Sequence, residues 1–188
     1  MRKVLLVLLA VMALGAAGCA TKVQDDYGKY LQNNTGQVVF PKIDRAFGYS
    51  VSPATEQHSV TIKSWLAGIG NSWEVRFNDI LRETLNSVDV RKAVTLHSAL
   101  AADQDKILFD LVSYKFEDTK ATIQLRIQTT LAGKAKLSKV YSGVGRGQRG
   151  KMIAGGPFAM KNAIQQSSKM AMDQILSAYF TDLAGATK

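Results

Sequence analysis

Cysteine occurs once in the 188 residues, at Cys19, and histidine twice, at His58 and His97. A single thiol excludes an internal disulfide, a redox pair and a cysteine-built metal site. HExxH and GxSxG are both missing, and with them the usual signatures of zinc and serine hydrolases. Either histidine would need distant partners to complete a serine triad or a zinc site. The carboxylate pairs Asp25-Asp26 and Asp103/Asp105 lie in polar stretches and read as surface charge. These gaps point away from an enzyme and imply no cofactor and no metal. Long apolar runs are missing too. Val4 to Leu14 is about half the roughly 20 residues that a membrane-spanning helix needs, and Gly15 to Gly18 does not extend it.

What the chain does have is a leader. Met1-Arg2-Lys3 is a charged start, Val4 to Met12 an apolar run, and Ala13 to Gly18 a stretch of mostly small residues ending at Cys19. A leader that places cysteine directly behind small residues resembles the lipobox of bacterial lipoproteins. Ala17 and Gly18 fit that motif, while Ala16 stands where leucine is usual. The resemblance implies cleavage before Cys19 and acylation of the new N-terminus. Ala20 follows, where aspartate would imply retention at the inner membrane, so the resemblance implies the periplasmic face of the outer membrane. Each buried methylene contributes about 0.8 kcal/mol, and one chain alone binds marginally. The three chains that bacterial lipoproteins carry make release negligible. A nucleic acid or a nucleotide is not an expected partner in that compartment.

Removing residues 1–18, which include Arg2 and Lys3, leaves 170 residues with a net charge of +7, against +9 for the whole chain. One domain of this size buries a core without disulfides. The basic balance fits either a generally basic soluble surface or a specific anionic ligand, such as an acidic lipid headgroup or a glycan. Three segments are expected: a signal peptide over 1–18, a lipidated tether over 19–36 and a single domain over 37–185. The tether is polar, with Asn33-Asn34 and two glycines, and has room for one helical turn around Tyr27 to Leu31. Linkers of this kind let a domain stand off its membrane.

Within the domain, Val38-Val39-Phe40 is a short apolar run cut by Pro41, and Ala46 to Val51 and Ser59 to Ser64 are strand candidates. Trp65 to Gly70 reads as a loop with a hydrophobic tip. Asn71, with Glu74 three residues on, reads as a capping box that opens a helix. Phe77, Ile80, Leu81, Thr84, Leu85 and Val88 give that helix one apolar stripe, with Arg76, Asp79, Arg82 and Glu83 behind it. Val94 to Leu96 is a short strand. Ile107 to Glu117 is a central strand, and Lys120 to Leu131 alternates as a strand with one wet face. Glu117 to Lys120 is a tight hairpin connection, Gly133 to Lys136 the next turn, and Leu137 to Val144 the third strand of a meander. The last helix is expected over 158–183, with Met160, Ile164, Ala171, Ile175 and Ala178 in one stripe and Met172, Leu176, Tyr179 and Phe180 widening it. The expected fold is α+β: an antiparallel sheet with two helices packed on one face, a two-layer sandwich.

Two features tempt a functional reading. Gly145 to Lys151 matches GxxxxGK, but Met152 stands where a phosphate-binding loop needs Ser or Thr. The stretch also fits GxGxxG, again after an antiparallel meander instead of a parallel strand. Arg146, Arg149 and Lys151 among glycines could hold a phosphate or carboxylate of a partner, or could belong to a solvated connection. Trp65 and Trp73 flank Gly68 and Gly70 and serve equally as partner anchors or as core.

The lipobox at Cys19, the helix Phe77 to Leu85, the meander from Ala121 to Gly143 and the closing helix through Ala163, Ala171 and Ile175 together resemble small outer-membrane lipoproteins of the YajG type. They resemble more loosely LptE and the auxiliary lipoproteins of ABC-type transport systems. The resemblance covers about residues 70–183 and brings no catalytic residues. It implies a non-enzymatic binding or assembly component in envelope biogenesis or transport, held by lipid at Cys19 and meeting an envelope protein. The other reading is a binding protein for an anionic glycan or lipid.

Overall fold

Residues 21–22, 26–64, 71–98, 104–147 and 158–187 are described by a computed structural model. In chain order they form strand β1 (Thr21–Lys22), helix α1 (Tyr27–Asn33), β2 (Ala46–Val51), α2 (Pro53–Glu56), β3 (Ser59–Ser64), β4 (Asn71–Arg76), α3 (Phe77–Leu85), α4 (Val88–Ala93), β5 (Thr95–His97), β6 (Lys106–Glu117), β7 (Lys120–Leu131), β8 (Lys134–Val144) and α5 (Ala159–Ala186).

Side-chain alternation builds the meander. Along β7, Ala121, Ile123, Leu125, Ile127, Thr129 and Leu131 are buried, while Gln124 and Arg126 face water. The apolar residues of β6 change phase, with Ile107, Phe109 and Leu111 followed by Tyr114 and Phe116. A bulge between Leu111 and Ser113 absorbs the change, so that Tyr114 pairs with Ile123 and Phe116 with Ala121 on the same face. Both hairpins use two-residue turns with left-handed backbone, Asp118-Thr119 (φ 52° and 61°) and Ala132-Gly133 (φ 47° and 73°). Turns of this hand match the twist of the strands.

Helix α5 lies on the buried face. Its 28 residues span about 42 Å, close to the roughly 40 Å of a twelve-residue strand. Small residues let its backbone approach β8. A Cβ on Gly143 would lie 2.0 Å from the Ala171 carbonyl oxygen, and one on Gly145 would lie 2.2 Å from that of Ser167. Buried hydroxyls set the helix register on the sheet: Tyr114 with Ser168 (3.1 Å), Tyr179 with Thr129 (2.8 Å), and Tyr141 donating to Asp182 (2.8 Å). Helix α3 joins this layer with Phe77, Ile80, Leu81, Thr84 and Leu85 buried, and Phe77 meets the Tyr114 ring at 6.0 Å. The class is α+β in two layers, as expected.

The differences have physical causes. The main sheet, in order β5-β2-β6-β7-β8, is mixed: β2 runs parallel to both β5 and β6, because long helical crossovers separate them in the chain. Asn71 and Glu74 do not open a helix. Residues 71–76 form β4, since Trp73 and Val75 alternate with Ser72, Glu74 and Arg76, and β3 supplies a full antiparallel ladder from Ser59↔Arg76 to Ser64↔Asn71. Helix α3 therefore starts at Phe77. Strand β8 starts at Lys134, within the expected turn. Ala178 is exposed and lines a shallow groove with Val38, Gln174 and Thr181. Within the segment expected to be a tether, the helical turn expected around Tyr27 to Leu31 is α1, and the described residues are held: Thr21 and Lys22 pair with β4, Tyr27 and Leu31 enter the core, and Asp26 pairs with Lys161.

Candidate functional site

A cleft of about 450 Å³ opens beside β2 and β5 at the edge of the main sheet. Two segments build it. The first leads into β2: Ile43 is buried, so its neighbours Lys42 and Asp44 point outward, and Arg45 follows. The second is the end of α4. Ser87 caps that helix, its hydroxyl accepting from the Val90 N–H, and Val90 and Ala93 face inward. Helix geometry leaves Arg91 and Lys92 outside. The Ile43 N–H donates to the Ala93 carbonyl at 2.8 Å and ties the segments together.

The cleft is basic. Lys42 pairs with Asp44 at 2.9 Å, with both side chains exposed, so the pair is weak; the carboxylate raises the Lys42 pKa above its usual value. Arg45 pairs with Asp105 at 3.1 Å. Arg91 and Lys92 have no ion-pair partner among the described residues. They also complement the C-terminal end of α4. A guanidinium beside an ammonium in a concave wall suits a phosphate or carboxylate. The lining residues include one hydroxyl, Thr95, and no histidine. The arrangement can hold an anion.

The residues singled out from the sequence fare differently. Arg146 is exposed, but it lies at the other end of the sheet. A Cβ on Gly147 would sit 3.3 Å from Lys120, beside the β6–β7 hairpin, whereas the cleft lies where β2 and β5 begin. The two ends are about one β6 length apart, roughly 40 Å. Arg149, Lys151, Trp65 and Cys19 lie outside the described residues. Trp73 is 4% exposed and packs in the core, opposite Ile62, so it is a core residue and not a surface anchor. Gly145 takes no part in a phosphate cradle: its N–H donates to the Ala121 carbonyl and continues the sheet.

Among the described residues no group of three His, Cys, Asp or Glu is placed to hold a metal. His97 is exposed at the end of β5. His58 follows α2, with its Nε2 buried and unpartnered. Asp105 accepts from the Ala132 N–H as well as pairing with Arg45, and Lys161 holds the Asp26 carboxyl below its usual pKa. One buried ion pair stands apart. Lys169, 4% exposed, bonds Asp173 one turn on at 2.6 Å, and burial pushes the Asp173 carboxyl above its ordinary value while Lys169 opposes the shift. Burial also raises Tyr114 to about 12. The cleft cations Lys42, Arg45, Arg91 and Lys92 escaped notice in the sequence because they lie some fifty positions apart; parallel pairing of Ala46 with Thr95 brings them together.

No protein-family model matches the sequence, and no curated protein matches it. Solved structures similar to this chain include the following two. Protein XCC0632 from Xanthomonas campestris, described under family DUF330, is 14% identical with a TM-score of 0.43, covering 80% of this chain and 90% of that one. The hypothetical protein CT253 from Chlamydia trachomatis is 10% identical with a TM-score of 0.42, covering 77% of this chain and 98% of its own. Likeness at this level assigns neither a family nor an activity.

Proposed function

We propose that the protein is a non-enzymatic lipoprotein of the outer membrane, anchored at Cys19 on the periplasmic face, that serves as a binding or assembly component in envelope biogenesis or transport, in the manner of YajG-type lipoproteins. The observation that carries this is the sole cysteine placed directly behind Ala16-Ala17-Gly18 and an apolar leader. The cleft lined by Lys42, Arg45, Arg91 and Lys92 supports a binding role, since it gathers positive charge in a concave wall. Metabolic labelling with palmitate, followed by membrane fractionation, tests the anchor. The wild type takes label and sediments with outer membrane, and Cys19→Ala does neither. Equal labelling of both overturns the proposal.

The basic cleft favours a second reading, a binding protein for an anionic glycan or lipid. Its specific support is the pair Arg91 and Lys92, which face the cleft with no ion-pair partner among the described residues.

A further inference from the structure

The small sheet holds the start of the described chain. Strand β1 runs parallel to β4, with Thr21 opposite Trp73 and Lys22 opposite Glu74. Strand β3 runs antiparallel to β4, with Ser64 opposite Asn71 and Lys63 opposite Ser72. One end of this small sheet therefore gathers the start of β1, the end of β3 and the start of β4. Only Ala20 separates Thr21 from Cys19. Two residues reach at most about 7 Å, whereas a free eighteen-residue tether would average about 23 Å. From Asp26 onward the described chain is held again. Asp26 pairs with Lys161, Tyr27 is 1% exposed, and the Gly36 N–H donates to the Asp89 carboxylate at 2.9 Å.

We propose that the end of the small sheet bearing Thr21, Lys63, Ser64, Asn71 and Ser72 is the membrane-facing surface, pressed on the headgroup layer of the bilayer that holds the Cys19 lipid. This rests on the acylation proposed above. The occupant is a bilayer containing anionic phospholipid. The short connection leaves room for little else, and Lys63, exposed next to the end of β3, supplies the complementary charge. The domain sits on its membrane and does not float above it.

Amine footprinting of the protein on vesicles of phosphatidylethanolamine and phosphatidylglycerol tests this. A soluble acylating reagent is applied from outside and each lysine is read by mass spectrometry. Lys63 reacts several-fold less than in a variant with a flexible segment of about twenty residues inserted between Ala20 and Thr21. Lys134 and Lys136, exposed on β8, react alike in both. Equal reactivity of Lys63 with and without the insert overturns the proposal. Coupling the Cys19 thiol to a maleimide lipid gives the same two-residue connection whether or not cells acylate it. A protein that lacks palmitate in cells but shows the Lys63 protection when coupled would refute the lipoprotein function and keep the surface.

Discussion

Gly145 and Arg146 are adjacent but sit in opposite surroundings, one buried and one exposed. Gly145 is buried, because its N–H completes a ladder to Ala121 and a side chain there would collide with Ser167. Arg146 is exposed at the hairpin end of the sheet, far from the cleft that concentrates positive charge. The GxxxxGK spacing that invites a phosphate therefore reflects helix–strand packing at its first glycine. The cleft cations respond to a different test. Arg91→Ala and Lys92→Ala should each weaken binding of a phosphorylated disaccharide by about tenfold, about 1.5 kcal/mol. Raising salt should weaken the wild type further. Isothermal titration at two ionic strengths measures both, and binding indifferent to the substitutions and to salt would dismiss the cleft as an anion site. The cleft is not legible in the sequence. Lys42 and Arg91 form no local motif, and only the pairing of β2 with β5 makes them neighbours.

Among the elements, those with a clean period were legible and those with competing signals were not. Lys120–Leu131 alternates without exception and its bounds are as expected. The part of the expected stripe from Phe77 to Leu85 repeats at helical spacing and is buried, whereas Val88, expected to end it, is half-buried and opens α4. Residues 71–76 carry two signals, Asn71 with Glu74 for a cap and Trp73 with Val75 for a strand, and cross-strand pairing with β3 decides between them. The docking of α1 had one trace in sequence, Tyr27 and Leu31 one turn apart, in a stretch otherwise polar enough to read as linker. The contact between α5 and β8 rests on glycine. Gly143→Ala would place a Cβ 2.0 Å from a backbone carbonyl, which cannot rotate away, and should destabilise the fold by about 3 kcal/mol. Gly185→Ala, in the same helix with open space around it, should stabilise it by up to about 1 kcal/mol. Urea unfolding of both variants checks the contrast, and similar midpoints would show that α5 is free to move off β8.

At the scale of the whole molecule, charge, platform and attachment fit together. A chain that carries +7 once residues 1–18 are removed is suited to an anionic surface. The five-stranded sheet, with a long helix across one face, supplies a rigid body. The small sheet holds the chain within two residues of the proposed lipid, so anchoring and orientation have a common origin in Cys19. Both therefore depend on that cysteine. Intact-mass and N-terminal peptide analysis of the protein purified from membranes tests it most directly. The predicted result is a chain that begins at Cys19 and carries fatty acyl chains on that residue. A chain that begins at an unmodified Met1, with a free Cys19 thiol, on protein recovered from the cytosol would contradict it.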